Sequence, residues 1–201
     1  MVKCEFSWQL LAMYLVALVV PQLVLCGMVL CEPAVLYKMK NIECLGVAPF
    51  SANPVCYIKP INWNKAVAHM DVDLLKPLHN ISVHIQIFKR DYSNQYQPFL
   101  VDVVVNLCDI LSRRNFMPFG VIFIKISSRF SNFNHSCPFS GHLIARGAYV
   151  DETYVPNCPL GLYKINITIM ENYRVKRPDH AGGFVWYVQA MTPVIRKKHK
   201  N

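Results

Sequence analysis

Downstream of the first sixty residues the chain is largely written with a period of two. Ile81, Val83, Ile85 and Ile87 alternate with Ser82, His84 and Gln86, as in a strand with one face in a core and the other in water. Pro77 before this run and Arg90-Asp91-Tyr92-Ser93-Asn94 after it are breakers and turn formers. The next strand runs from Phe99 to Leu107, with Val101, Val103 and Val105 on one face. Gly161 to Met170 repeats the pattern, Ile165, Ile167 and Ile169 pointing one way and Lys164, Asn166 and Thr168 the other. A final strand covers Phe184 to Met191, entered through Ala181-Gly182-Gly183. An earlier one covers Asn64 to Leu75, with Ala66, Ala68, Met70 and Val72 in phase. Between Asp109 and Ser128 the period fails. Ile110, Leu111 and Phe116 could begin an amphipathic helix, but Pro118 and Gly120 break it. Val121 to Ile126 is rich in β-branched residues and reads as a strand in isolation. Helical spacing also fits, with Ile122, Ile126 and Phe130 at i, i+4 and i+8. Short strands separated by turn signals predict a mainly β protein, an antiparallel sandwich.

The N-terminus has neither period. Leu10 to Leu30 is apolar behind Lys3 and is interrupted by Pro21 and Gln22. A short basic start, an apolar centre and small residues near the end predict a signal peptide over residues 1–31, cleaved after Cys26 or Cys31. An uncleaved signal anchor is the alternative, because a run of this length just spans a bilayer. The sandwich is expected over 32–192 and a basic flexible tail over 193–201. Three N-glycosylation sequons follow the signal segment, at Asn80, Asn134 and Asn166. Asn166 falls on the polar face of its strand, where a glycan could be carried. These features predict a secreted, extracellular glycoprotein.

Composition narrows the function classes. Of 201 residues, 53% are hydrophobic and 16% charged, which excludes a disordered chain. The formal charge is +9, with Arg174, Lys176 and Arg177 in one cluster and Arg196-Lys197-Lys198-His199-Lys200 at the end. Secretion argues against nucleic acid as the partner, and the tail reads as a solvated terminus with at most peripheral membrane contact. No G-x-S-x-G elbow, HExxH, phosphate-binding Gly loop or paired-carboxylate signature occurs. His135-Ser136-Cys137 are adjacent, and adjacent side chains on an extended chain diverge. Nothing in the sequence pairs Asp71, Asp73 or Asp109, and His84 reads as solvated. No enzyme, cofactor or metal is expected.

Eight cysteines remain to be placed. Cys4 leaves with the signal peptide; cleavage after Cys26 retains Cys31, and cleavage after Cys31 does not. An oxidising compartment favours a bridged set. Cys44 and Cys56 close a short loop and form the favoured local pair. Cys108 with Cys137 is the favoured second pair, closing a loop of about 30 residues that would stabilise by roughly 3–4 kcal/mol. Spacing alone does not fix connectivity, and Cys158 could pair with Cys31 or stay free. No CxxC occurs, and Cys137 to His142 is a poor zinc spacing.

Several segments together resemble one family. Tyr37 to Cys44 resembles its opening strand ending in a cysteine, and Cys56-Tyr57-Ile58-Lys59 its second cysteine. Leu74 to Pro77 followed by Asn80 to Val83, and Phe99 to Asp102 leading to Asn106-Leu107-Cys108, match its next blocks. Ser131 to Phe139 is the most specific, close to N-x-N-H-[ST]-C-P-[YF], and Val155-Pro156 through Gly161-Leu162-Tyr163 resembles a late strand. The chain is similar to an insect-expanded family of small secreted proteins. That family resembles the ML lipid-recognition superfamily of ganglioside activators and sterol-transfer proteins, with chemosensory-B proteins, implicated in gustatory pheromone response, as relatives. The resemblance implies an immunoglobulin-like β-sandwich whose sheets splay to hold an apolar ligand, with one short helical segment after Cys108. It also implies Cys44, Cys56, Cys108 and Cys137 as framework cysteines. Cys158 departs from the pattern, and a third disulfide stays open. Ligand identity does not carry over.

The expected function is therefore non-enzymatic carriage of a small apolar ligand such as a lipid, hydrocarbon or pheromone-like molecule. Burying an acyl chain of about 12 carbons would yield roughly 10 kcal/mol. The candidate lining residues are Val83, Ile85, Ile87, Val101, Val103, Val105, Ile165, Ile167 and Ile169, with Ile122 and Ile126; each is also a candidate for ordinary core. The alternative is a solid-cored interaction module for an extracellular receptor. An interior without a connected void above about 300 Å³ favours the alternative.

Overall fold

The computed structural model describes residues 35–114, 116–133, 135–172 and 177–194. The predicted signal segment, Cys31, the sequon residue Asn134, Arg174, Lys176 and the basic tail from residue 195 lie outside the described residues.

Eight strands form two antiparallel sheets. They are β1 (Leu36–Gly46), β2 (Ser51–Pro60), β3 (Ala66–Leu78), β4 (Ile81–Arg90), β5 (Tyr96–Asn106), β6 (Phe139–Ala148), β7 (Gly161–Glu171) and β8 (Asp179–Met191). One sheet has five strands in the order β1-β8-β7-β4-β5; the other has three, β2-β3-β6. Both sheets feed both apolar clusters of the interior. One cluster gathers Leu78, Val83, Ile85, Val105, Phe139 and Leu143; the other gathers Met39, Ala68, Ala148, Tyr163, Trp186 and Val188. The protein is a β-sandwich.

The alternating segments form strands as their period requires. Ile81, Val83 and Ile85 are buried on β4, Val101 and Val105 on β5, and Ile167 on β7. Strand β6 is not among the elements the sequence predicts. Its buried residues, Phe139, Leu143, Ala145 and Ala148, are not evenly spaced, because the register against β3 shifts on either side of 141–145. Gly141 and Gly147 take positive φ values of 76° and 69° there, which accommodates the irregular backbone.

The stretch after β5 is helical. Helix α1 (Leu107–Leu111) contains Cys108, and helix α2 (Pro118–Phe130) follows. Asn106 caps α1, its side chain accepting from the Asp109 N–H at 2.9 Å. Pro118 stands in the first turn of α2, where its fixed φ favours a helix and its missing N–H costs nothing. The strand reading of Val121 to Ile126 is thus corrected, and the single helical segment expected after Cys108 is two. The packing of α1 on β4 and of α2 on α1 and β6 outweighs β-branched propensity.

Buried polar groups secure the places where the chain changes sheets. Ser51 accepts from the Val47 N–H and donates to the Ala181 carbonyl, both at 2.9 Å, tying β2 to β8. Glu171 accepts from the His79 and Asn80 N–H groups at 3.1 Å, holding the β3–β4 turn. Tyr37 donates to the Pro156 carbonyl at 2.6 Å and accepts from the Cys158 N–H at 2.9 Å, while Tyr163 donates to the Pro159 carbonyl at 2.6 Å. Burial pushes both phenols up to about 12. Disulfides join Cys44 of β1 to Cys56 of β2, across the two sheets, and Cys108 of α1 to Cys137 before β6. Cys158 is unbridged among the described residues.

Gly120 sets how closely α2 approaches the sandwich. A Cβ there would stand 2.1 Å from Ile110 Cδ1 and 2.6 Å from Val105 Cγ1. Gly120→Ala adds about 1 kcal/mol of helix propensity, yet overpacking of about 1–3 kcal/mol opposes it. The expected outcome is a net loss of stability, read as a melting temperature lower by several degrees. A rise would show that α2 is not seated this tightly.

Candidate functional site

The inner faces of the two sheets separate where α2 lies against them, leaving an apolar cleft. Its walls are Met70 of β3, Val83 of β4, Ala145 and Ala148 of β6, and Phe184 and Trp186 of β8. Its roof is Phe123, Ile124, Ile126, Ser127 and Phe130 of α2, closed by Leu107, Ser131 and Phe133. The cavity volume is about 40 Å³. A second cleft of about 70 Å³ adjoins it at the Cys44–Cys56 end. The two share Met70, Phe133, Ala145 and Phe184, which form the partition between them. A larger hollow of about 290 Å³ lies at the surface among Asn62, Asn64, Lys65, Asp151 and Glu152. Its lining mixes these polar side chains with Leu36, Tyr37, Tyr149 and Val150, which makes it a poorer site for an apolar molecule than the cleft beneath α2.

Helix α2 is mounted lightly. It is apolar over much of its length, yet Gly120 is its one buried residue. It packs on α1 and β6, and Phe116 and Phe119 stand exposed at its start. An element with little fully buried surface opens at low free energy relative to the core.

The predicted lining set divides. Val83 and Ile126 line the cleft. Ile85, Val101, Val105 and Ile167 are buried in the packed interior, and Ile87, Val103, Ile165 and Ile169 lie against it; none of these eight reaches either cleft. Ile122 is half-buried and belongs to neither apolar cluster. The inward face of α2 runs through Gly120, Phe123, Ile124, Ser127 and Phe130; of the Ile122–Ile126–Phe130 spacing, Ile126 and Phe130 line the cleft and Ile122 does not. The aromatic lining, Phe123, Phe130, Phe184 and Trp186, lies outside the set expected from sequence. Phe184 and Trp186 share one face of β8, and Phe123 and Phe130 stand seven residues apart, so both periods carried the signal.

Residues 83–165, from β4 into β7 and including both helices, match the model of a family described as a protein of unknown function (DUF1091). The match takes in the whole of the cleft's roof, but not Met70, Phe184 or Trp186 of its walls. No curated protein matches the chain.

Two sequon asparagines are in view. Asn80 lies in the β3–β4 turn, half-buried, its Oδ1 accepting from Asn106 Nδ2 at 2.7 Å. Asn166 is at mid-β7 on the face opposite Ile167, its Nδ2 donating to Gln86 Oε1 at 3.2 Å. On the same face His84 pairs with Asp102 rather than with solvent alone.

The main charged constellation is on the outer face of the three-stranded sheet. His142 of β6 lies between two carboxylates of β3, with Nε2 2.6 Å from Asp71 Oδ1 and Nδ1 2.7 Å from Asp73 Oδ1. Arg146 binds the other oxygen of Asp71. The sequence offers no hint of this pairing, because 69 residues separate His142 from Asp73. The group stands on an open face, 54% of the His142 side chain being exposed, and so lacks the water-excluding cleft of an active site. Among the described residues no cluster of His, Cys, Asp and Glu could hold a metal ion.

An imidazole that donates from both nitrogens is the imidazolium. The hydrogen bond to Asp73 chiefly raises the His142 pKa, and that bond correspondingly lowers the Asp73 carboxyl. The stabilisation from His142 is fully present below its ordinary value of 6.5 and is lost as pH rises through the raised one. That from Asp73 is lost as pH falls through its depressed value. NMR titration is expected to show His142 above 6.5, and Asp73→Asn should bring it down. An unchanged midpoint in the variant would sever the link.

Proposed function

We propose that the protein is a secreted, non-enzymatic carrier of a small apolar ligand, taken up between the two sheets beneath α2. The observation that carries this reading is the cleft lining. Of its fourteen residues only Ser127, Ser131 and Trp186 bear a side-chain N or O atom. Apolar walls with few polar groups are the usual make-up of a small-molecule site. The light mounting of α2 supports it, and so does the resemblance to secreted proteins of the ML lipid-recognition type. Two disulfides fit an oxidising extracellular setting, and no helix among the described residues is long and apolar enough to cross a membrane. Asn80 and Asn166 would carry glycans on the secreted protein.

Volume sets the mechanism of uptake. Clefts of about 40 and 70 Å³ are well below the roughly 300–1,000 Å³ of ordinary ligand sites. Loading therefore requires α2 to move outward, merging the clefts as the Met70–Phe133–Ala145–Phe184 partition parts. The same volumes favour the second reading, a solid-cored module that binds an extracellular protein with its surface.

Native mass spectrometry of the protein secreted from eukaryotic cells separates the two. A mass excess that organic solvent removes, identified as lipid or hydrocarbon, is the expected result. Ala145→Leu, at the partition, should cut uptake of a fluorescent fatty ester at least tenfold while the protein stays folded by circular dichroism. A spectrum equal to polypeptide plus glycans, with no uptake by delipidated protein, would leave the interaction module.

A further inference from the structure

Trp186, which lines the cleft, carries a buried polar group that has no partner among the described residues. Trp186 lies at mid-β8, paired with Ile42 on one side and Ile165 on the other, and is 8% exposed. Its indole Nε1 is buried and has no hydrogen-bond partner. Phe184 lies beside it at 5.4 Å between ring centroids. A buried indole N–H nearly always finds an acceptor, and one without costs about 1–3 kcal/mol. The buried Tyr37, Tyr163 and Ser51 hydroxyls of the frame are answered; the His69 ring nitrogens and Glu171 Oε2 are also buried without a partner, but neither residue lines a cleft, so Trp186 is set apart by its place. The Ser131 hydroxyl in the cleft is committed to the Ser127 carbonyl at 2.6 Å.

The geometry points to Trp186 as the polar anchor of the ligand, and to a ligand that is a neutral, long-chain carbonyl compound: an ester, ketone or aldehyde. This rests on the cleft being the ligand site and adds the chemistry it selects. The ligand must bring an acceptor, because the indole can only donate. It must be neutral, because no Lys, Arg or His lines either cleft. A carboxylate would be desolvated there without a counter-charge. A plain hydrocarbon would fill the apolar space but leave the donor unanswered.

The test uses the full secreted chain, delipidated, with three probes of equal chain length: n-pentadecane, 2-pentadecanone and pentadecanoate. The ketone is expected to bind about tenfold more tightly than the alkane, as one buried hydrogen bond implies, and more tightly than the carboxylate. Trp186→Phe keeps an aromatic ring at the site but removes the donor; it should abolish the preference for ketone over alkane, the ratio of the two affinities being what is read. If that variant does not fold, the wild type still decides the matter. With ¹⁵N-labelled tryptophan, the Trp186 indole proton resonance should move downfield on adding ketone and much less on adding alkane. Equal binding of ketone and alkane, tighter binding of the carboxylate, or an indole resonance indifferent to the ketone would overturn the anchor while leaving carriage intact. Binding of none of the three probes would remove the carrier reading itself, and the anchor with it.

Discussion

Sheet width is the constraint from which the rest follows. At about 4.8 Å per strand, the five-stranded sheet presents an inner face roughly 10 Å wider than the three-stranded sheet can cover. The surplus lies toward β5, where Val101 and Val105 point inward. Left to water, that strip would forfeit the burial that stabilises the fold. Helices α1 and α2 cover it, and the residues that achieve this are set by the need for close approach: Ile110 and Val105 at the contact, Gly120 with no side chain to obstruct it. The helical insertion between β5 and β6 thus completes the sandwich.

The covering is unequal in quality. Around β1, β2, β7 and β8 the frame is held by the Cys44–Cys56 bridge and by buried hydroxyls and carboxylates with named partners. Under α2 the contacts are apolar and incomplete, and Trp186 Nε1 is buried there without a partner. A rigid frame beside a lightly seated cover is the division of stability expected where a protein must open locally without unfolding.

The sequence made the strands with strict alternation legible. β4, β5 and β7 were readable because the period of two maps directly onto burial. β6 was not, since the register shifts near Gly141 break the period that betrays a strand. The residues of α2 fit both a strand and a helix, because β-branched propensity is a weak prior that tertiary packing overrides; the resemblance favours the helix. The site was less legible than the fold. Alternation tells which side of a strand is inward, but not which part of that side faces a neighbour and which faces a gap. Ile85 and Ile167 are therefore packed core, while Val83 on the same face of the sheet borders the cleft. The His142 network depends on register between distant strands, which no local pattern encodes.

The Cys108–Cys137 bridge spans 29 residues, and α2 lies wholly between its ends. Helix and flanking turns are therefore part of a closed covalent ring anchored at both sides of its opening. Such a ring can change shape but cannot lengthen, so on the proposed carrier reading any opening beneath α2 would have a fixed largest aperture. Admission would then be governed by the girth of a molecule more than by its length: a slender chain could thread in from one end, while a broad, fused-ring body would be stopped at the rim.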